Sequence, residues 1–90
     1  MLLTTNLTQA SPISEIFLHN GGIKQVEATG TFGTASVRME TSQDELDFVV
    51  LSNFDMTAAD VLRVNMLPGT SYRFSLASPD GSTDIQVSVL

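Results

Sequence analysis

Apolar and polar positions alternate along most of this chain, and the clearest alternation runs from Gly22 to Glu40. Val26, Ala28, Gly30 and Phe32 fall on one face, and Ala35, Val37 and Met39 continue it beyond Gly33-Thr34. Glu27, Thr29, Thr31, Ser36, Arg38 and Glu40 take the opposite face. A period of two marks a half-buried strand. The stretch therefore predicts a hairpin of two strands joined at Gly33-Thr34. Gly30, inside the first strand, predicts a bulge or a close backbone approach.

The pattern recurs on both sides of this stretch. Leu3 to Leu7 alternates loosely, so residues 1–10 read as an edge strand or an extended arm. Thr8 to Pro12 is turn-like, and Pro12 has no N–H to give to a ladder, which suits a strand start or an edge. Ile13 to Leu18 predicts a strand with Ile16 and Leu18 on one face and Ile13 and Phe17 on the other. Asn20-Gly21-Gly22 tolerates positive φ and predicts a turn. Leu46, Phe48 and Val50 read as the inward face of a later strand. Ser52 to Asp60 is irregular and reads as a loop crossing between sheets, with Thr57 placed to cap one helical turn. Leu62, Val64 and Met66 then face inward, followed by Pro68-Gly69, which suits a type II turn. Tyr72, Phe74 and Leu76 form the next inward set, and Ile85, Val87 and Val89 the last. Ser78 to Ser82 is the turn between them.

About seven or eight short strands with frequent turn signals predict an all-β fold. The expected form is a single antiparallel β-sandwich, jelly-roll or immunoglobulin-like, over residues 1–90. No stretch has the 3.6-residue period of an amphipathic helix.

Composition narrows the function. The 90 residues fit one domain. The absence of cysteine removes disulfides and thiolate metal sites as sources of stability. A domain this small has a thin margin, so self-association or a larger partner is expected to help. Charged residues make up 16%, so Ser, Thr, Asn and Gln must cover much of the surface. Net charge is −6, and Lys24, Arg38, Arg63 and Arg73 are scattered singly. Gripping phosphates takes clustered cations, so neither nucleic acid nor an anionic membrane is an expected partner. The start lacks a basic segment followed by an apolar core, so no signal peptide is expected. No apolar run reaches the roughly 20 residues of a membrane helix.

Candidate chemistry is sparse. His19 is the single histidine and has no flanking nucleophile to serve as a base for. Asp44-Glu45-Leu46-Asp47 and Asp80-Gly81-Ser82-Thr83-Asp84 are the densest acidic groups, but neither has calcium-loop spacing between helices. The glycines do not open a helix as a phosphate loop requires. No catalytic, cofactor-binding or metal-binding residue is assigned, and the chain reads as a non-enzyme. The informative feature is an apolar surplus. Phe17, Val49, Leu51, Phe54, Met56 and Leu67 fall outside the main inward set. Apolar side chains left at a surface mark interfaces. Together with Leu2 and Leu3 of the arm, they are the candidate subunit or partner contacts.

The order of features resembles small phage virion proteins, above all capsid decoration (cement) proteins and related head or fibre modules. The resemblance rests on Gly21-Gly22, Gly30-Thr31-Phe32-Gly33, Ala35 to Met39, Pro68-Gly69-Thr70, Tyr72 to Leu76 and Ile85 to Leu90, and covers roughly residues 20 to 90. The chain departs from the pattern after Met39, where Asp44-Glu45-Leu46 stands in place of an Asp-Gly and a following Trp. The resemblance implies a non-enzymatic β-sandwich that binds the major capsid protein on the outer surface of the virion, commonly as a homotrimer. It implies assembly in the host cytoplasm, and no cofactor. The alternative is a receptor- or carbohydrate-binding module of a tail or head fibre.

Overall fold

The computed structural model describes residues 3–19, 22–51, 54–66 and 69–89. Among them, all regular structure is β. The strands are β1 (Leu3–Thr8), β2 (Phe17–His19), β3 (Gly22–Thr31), β4 (Ser36–Ser42), β5 (Val49–Val50), β6 (Asp60–Met66), β7 (Thr70–Ala77) and β8 (Asp84–Val89). They form two four-stranded antiparallel sheets, ordered β1-β8-β3-β6 and β2-β7-β4-β5.

The predicted inward sets meet in one core. Leu7, Val26, Ala28, Met66, Ile85, Val87 and Val89 come from the first sheet, and Val37, Met39, Tyr72 and Phe74 from the second. Each large apolar side chain taken fully out of water contributes about 1.5–3 kcal/mol. Leu62 and Val64 on β6, and Leu76 on β7, are only half-buried against this cluster.

The Gly22-to-Glu40 stretch is not a hairpin. β3 and β4 belong to different sheets, so the chain crosses from one to the other between Thr31 and Ser36. Phe32 and Ala35 both lie in the core at this crossing, and the Ala35 N–H donates to the Phe32 carbonyl (2.9 Å). A hairpin and a crossing put the same apolar residues inside, so alternation alone does not separate them. Every connection between consecutive strands except β4–β5 passes between sheets in this way.

Two crossings are clasped together by Asp80. Its Oδ2 accepts from the Thr34 N–H (3.1 Å), and its Oδ1 accepts from the Ser82 hydroxyl (2.7 Å) and N–H (2.9 Å). The Thr83 hydroxyl accepts from the Asp80 N–H (3.0 Å) and donates to the Phe32 carbonyl (3.1 Å). Gly33 sits at φ +59, and a Cβ there would meet the Asp80 carboxylate at 2.5 Å, so the clasp closes only on glycine. Asp80-Gly81 is therefore more than the turn signal it resembles in sequence.

These donors, the Ser82 hydroxyl and N–H foremost, hold the Asp80 carboxyl down from its ordinary 3.8 to about 2. A depressed carboxyl contributes stability above its ordinary range and loses it as pH falls through its folded value. The thermal midpoint is therefore expected to fall as pH drops from about 4 to about 2. Asp80→Asn should lower the midpoint by several degrees at pH 7 and flatten that acid limb. Thermal melts of both proteins across this range check it.

Residues 46–56 depart most from expectation. The predicted strand shrinks to Val49–Val50, and Leu46, Phe48 and Val50 do not enter the core. The chain stays beside β4 after β5: the Leu51 N–H donates to the Met39 carbonyl (2.9 Å), and Val37 and Met56 exchange backbone bonds at 2.8 and 3.0 Å. Phe54 and Met56 are thereby carried into the core, at 3% and 2% exposure, and Leu51 packs half-buried against it. Phe54 and Met56 are structural and are corrected from the candidate contacts. No helical turn forms at Thr57–Asp60, where the chain bends into β6.

The predicted strand over Ile13 to Leu18 is also shorter. Ile13 makes an isolated bridge to Ser75, and the strand proper is β2. Between them Ser14 substitutes for the backbone: its hydroxyl accepts from the Phe74 N–H (2.8 Å), while its own N–H donates to the Phe74 carbonyl (2.9 Å). Pro12 lies on this edge as expected, its carbonyl accepting from the Leu76 N–H (2.9 Å).

Candidate interaction surface

Ser42 to Phe48, the one connection that stays within a sheet, folds over the outer face of the second sheet. Its shape follows from its sequence. Ser, Asp and Asn side chains compete for local backbone donors and so favour turns. Here the Ser42 hydroxyl accepts from the Glu45 N–H (2.9 Å) and donates to Asp44 Oδ1 (3.0 Å). The same oxygen accepts from the Leu46 N–H (2.9 Å) and the Asp47 N–H (3.0 Å). The Asp47 and Leu46 N–H groups are the main reason that the Asp44 carboxyl is held below its ordinary value. Glu45 takes φ +62 to make the bend.

Longer contacts pin the loop down. Glu45 Oε1 accepts from the Ser71 hydroxyl (3.1 Å) on β7. The Phe48 ring lies under the Arg73 guanidinium, 3.9 Å from its centroid. Arg73 Nε also donates to Glu40 Oε1 (2.7 Å), and Glu40 Oε2 accepts from the Ser75 hydroxyl (2.8 Å). A cation over an aromatic face is worth roughly 0.5–1 kcal/mol at a partly exposed site.

The result is a fixed loop whose apolar side chains face water. Leu46 is 82% exposed, Val49 66% and Val50 43%. Thr41 to Asp44, Asp47 and Val49 line a shallow groove beside them. Asp44, Glu45 and Asp47 make the rim acidic. Exposed apolar residues are ordinary one by one; Leu46, held out on an ordered loop with Val50 on the neighbouring strand β5, makes this face the candidate interaction surface. Ordering this loop before a partner arrives reduces the entropy lost on binding.

Of the candidate contacts, Val49 is the one this surface contains. Leu3 and Phe17 open β1 and β2, in register with Val89 and Tyr72. Leu2 and Leu67 lie outside the described residues. Leu46 and Val50 were expected in the core. The signal for Leu46 is present in the sequence: acids flank it on both sides in Asp44-Glu45-Leu46-Asp47, a pattern that fits a solvated turn better than a strand interior. His19 ends β2 in register with Thr70. Among the described residues, no group of three His, Asp or Glu side chains is placed to hold a metal ion.

No known family, curated protein or solved structure matches the chain.

Proposed function

We propose that this chain is a non-enzymatic virion structural protein, a single β-sandwich of jelly-roll topology that binds the outer capsid surface and bridges capsid subunits. The exposed, hydrogen-bonded loop carrying Leu46 is the observation that carries the reading. A fixed apolar projection with an acidic rim fits a partner surface that offers an apolar pocket among basic side chains. The topology supports it: successive strands pass back and forth between two four-stranded sheets, as in the double-sheet jelly rolls common among capsid domains. The acids favour a structural role, since Asp80, Asp44, Glu40 and Glu45 all accept internal hydrogen bonds. The aromatics do not favour the sugar-binding alternative. Among the aromatic side chains described, Phe32, Phe54, Tyr72 and Phe74 are in the core and Phe48 lies under Arg73, so none of these five offers a free stacking platform.

The test is add-back to particles assembled without the chain. Wild-type protein is expected to bind them saturably. Leu46→Asp, at a position exposed enough to leave folding within about 0.5 kcal/mol, should bind at least about tenfold more weakly. Equal binding by the variant would remove this loop from the contact.

A further inference from the structure

The edges of the two sheets are unequally protected. In the second sheet, β2 has three residues and is set one residue out of register with the Pro12–Ser14 segment that pairs with β7 before it, while β5 has two. Short, bulged and proline-bearing edges resist pairing with another chain. In the first sheet, β6 runs for seven residues and pairs on one side alone, with β3, among the described residues. It contains no proline and no lysine. Leu62 and Val64 on its inner side are only half-buried, and Val61 on its outer side is 43% exposed. The opposite edge, β1, is mostly Thr and Asn.

We infer that β6 is a strand-pairing edge through which two copies of this chain join, antiparallel, about a twofold axis at Leu62. The register follows from charge and pleat. Residues paired across a twofold must face the same side, so the axis passes through a residue. Centred on Arg63, it would set two guanidiniums opposite each other, which is unfavourable. Centred on Leu62, it sets Arg63 of each copy opposite Val61 of the other. Within its own copy, Val61 pairs with Glu27 on β3. Arg63 of one copy and Glu27 of the other then lie two strand spacings apart, about 10 Å between backbones, within the combined reach of their side chains. The Leu62 side chains meet at the axis and cover the half-buried inner side of the strand. The first sheet becomes eight strands wide, and its long edge is consumed.

This pairing does not depend on a capsid and is tested on the isolated protein. Sedimentation equilibrium should give the mass of two chains. Val61→Lys puts a cation opposite Arg63 of the second copy and should give monomer with an unchanged circular dichroism spectrum. The chain has no cysteine, so Leu62→Cys should oxidise to a covalent dimer, with its Cα atoms inside the 4.4–6.8 Å range a disulfide spans. Val64→Cys, set opposite Asp60 of the second copy, should not. A monomeric or trimeric wild type, a dimer that survives Val61→Lys, or cross-linking through Val64→Cys in place of Leu62→Cys would overturn the inference.

Discussion

Phe74→Ala is expected to destabilise the protein by about 3–5 kcal/mol, measured as a shift of the urea midpoint at unchanged slope. Phe74 is fully buried at the centre of β7. It sits between β4, through its register with Met39, and the irregular segment after β5, through Phe54. The two rings lie 6.0 Å apart at 47°, within the range where tilted aromatic pairs attract. Truncation removes the ring and leaves a cavity that two sheets must relax to fill. Small domains have roughly 5–15 kcal/mol in total, so a loss of this size removes a large share of the margin. Phe54→Ala should cost less than Phe74→Ala, because Phe54 lies on an irregular segment that can shift inward.

Gly30→Ala is the second large effect, and it is a backbone effect. Gly30 takes φ +122, a region closed to side chains without strain. An added Cβ would also collide with the Asp84 carbonyl oxygen and come within 3.2 Å of Ile85 Cα, both backbone atoms of the neighbouring strand. Backbone strain of this kind costs about 1–3 kcal/mol, and relieving the collision means parting β3 from β8 beside the core residue Ile85. The comparison is Gly22→Ala. Gly22 also has positive φ (+101), yet a Cβ there meets nothing within 4 Å. The expected result is a clearly larger fall in thermal midpoint for Gly30→Ala than for Gly22→Ala. Equal effects would mean that the close approach of β8 contributes nothing.

The contrast between these residues shows what the sequence could carry. Which residues face inward is a local property of a strand, set by its two-residue period. Val26, Ala28, Val37, Met39, Tyr72, Phe74, Ile85, Val87 and Val89 were readable on that basis, and all are buried. Gly30 stood out for the same local reason, as a glycine where a side chain was expected. Which strand lies beside which is not local. β3 finds β6 and β8, far along the chain, and not its neighbour β4. Nothing in Gly33-Thr34 distinguishes a turn within a sheet from a crossing between sheets. At the crossing the Thr34 N–H is held by Asp80, more than forty residues away.

The candidate surface was missed for a related reason. Leu46, Phe48 and Val50 have strand spacing, but the Ser42 and Asp44 side chains capture the local backbone donors and turn the chain outward. The core space that these residues were expected to fill is taken by Phe54 and Met56. Those two lie in a stretch with no clean alternation, held beside β4 by backbone bonds from Val37 and Met39. The apolar surplus has other members than the alternation picks out: Leu46 and Val50 are outside, and Phe54 and Met56 inside.

The central claim is that the chain works by incorporation into a particle, and the saturating stoichiometry of the add-back experiment tests it most directly. Quantitative mass spectrometry or densitometry of washed particles would measure it. The predicted result is saturation at a copy number comparable with that of the major capsid protein, with Leu46→Asp failing to reach it at the same concentration. Absence of saturable binding, or saturation at only a few copies per particle, would contradict the account.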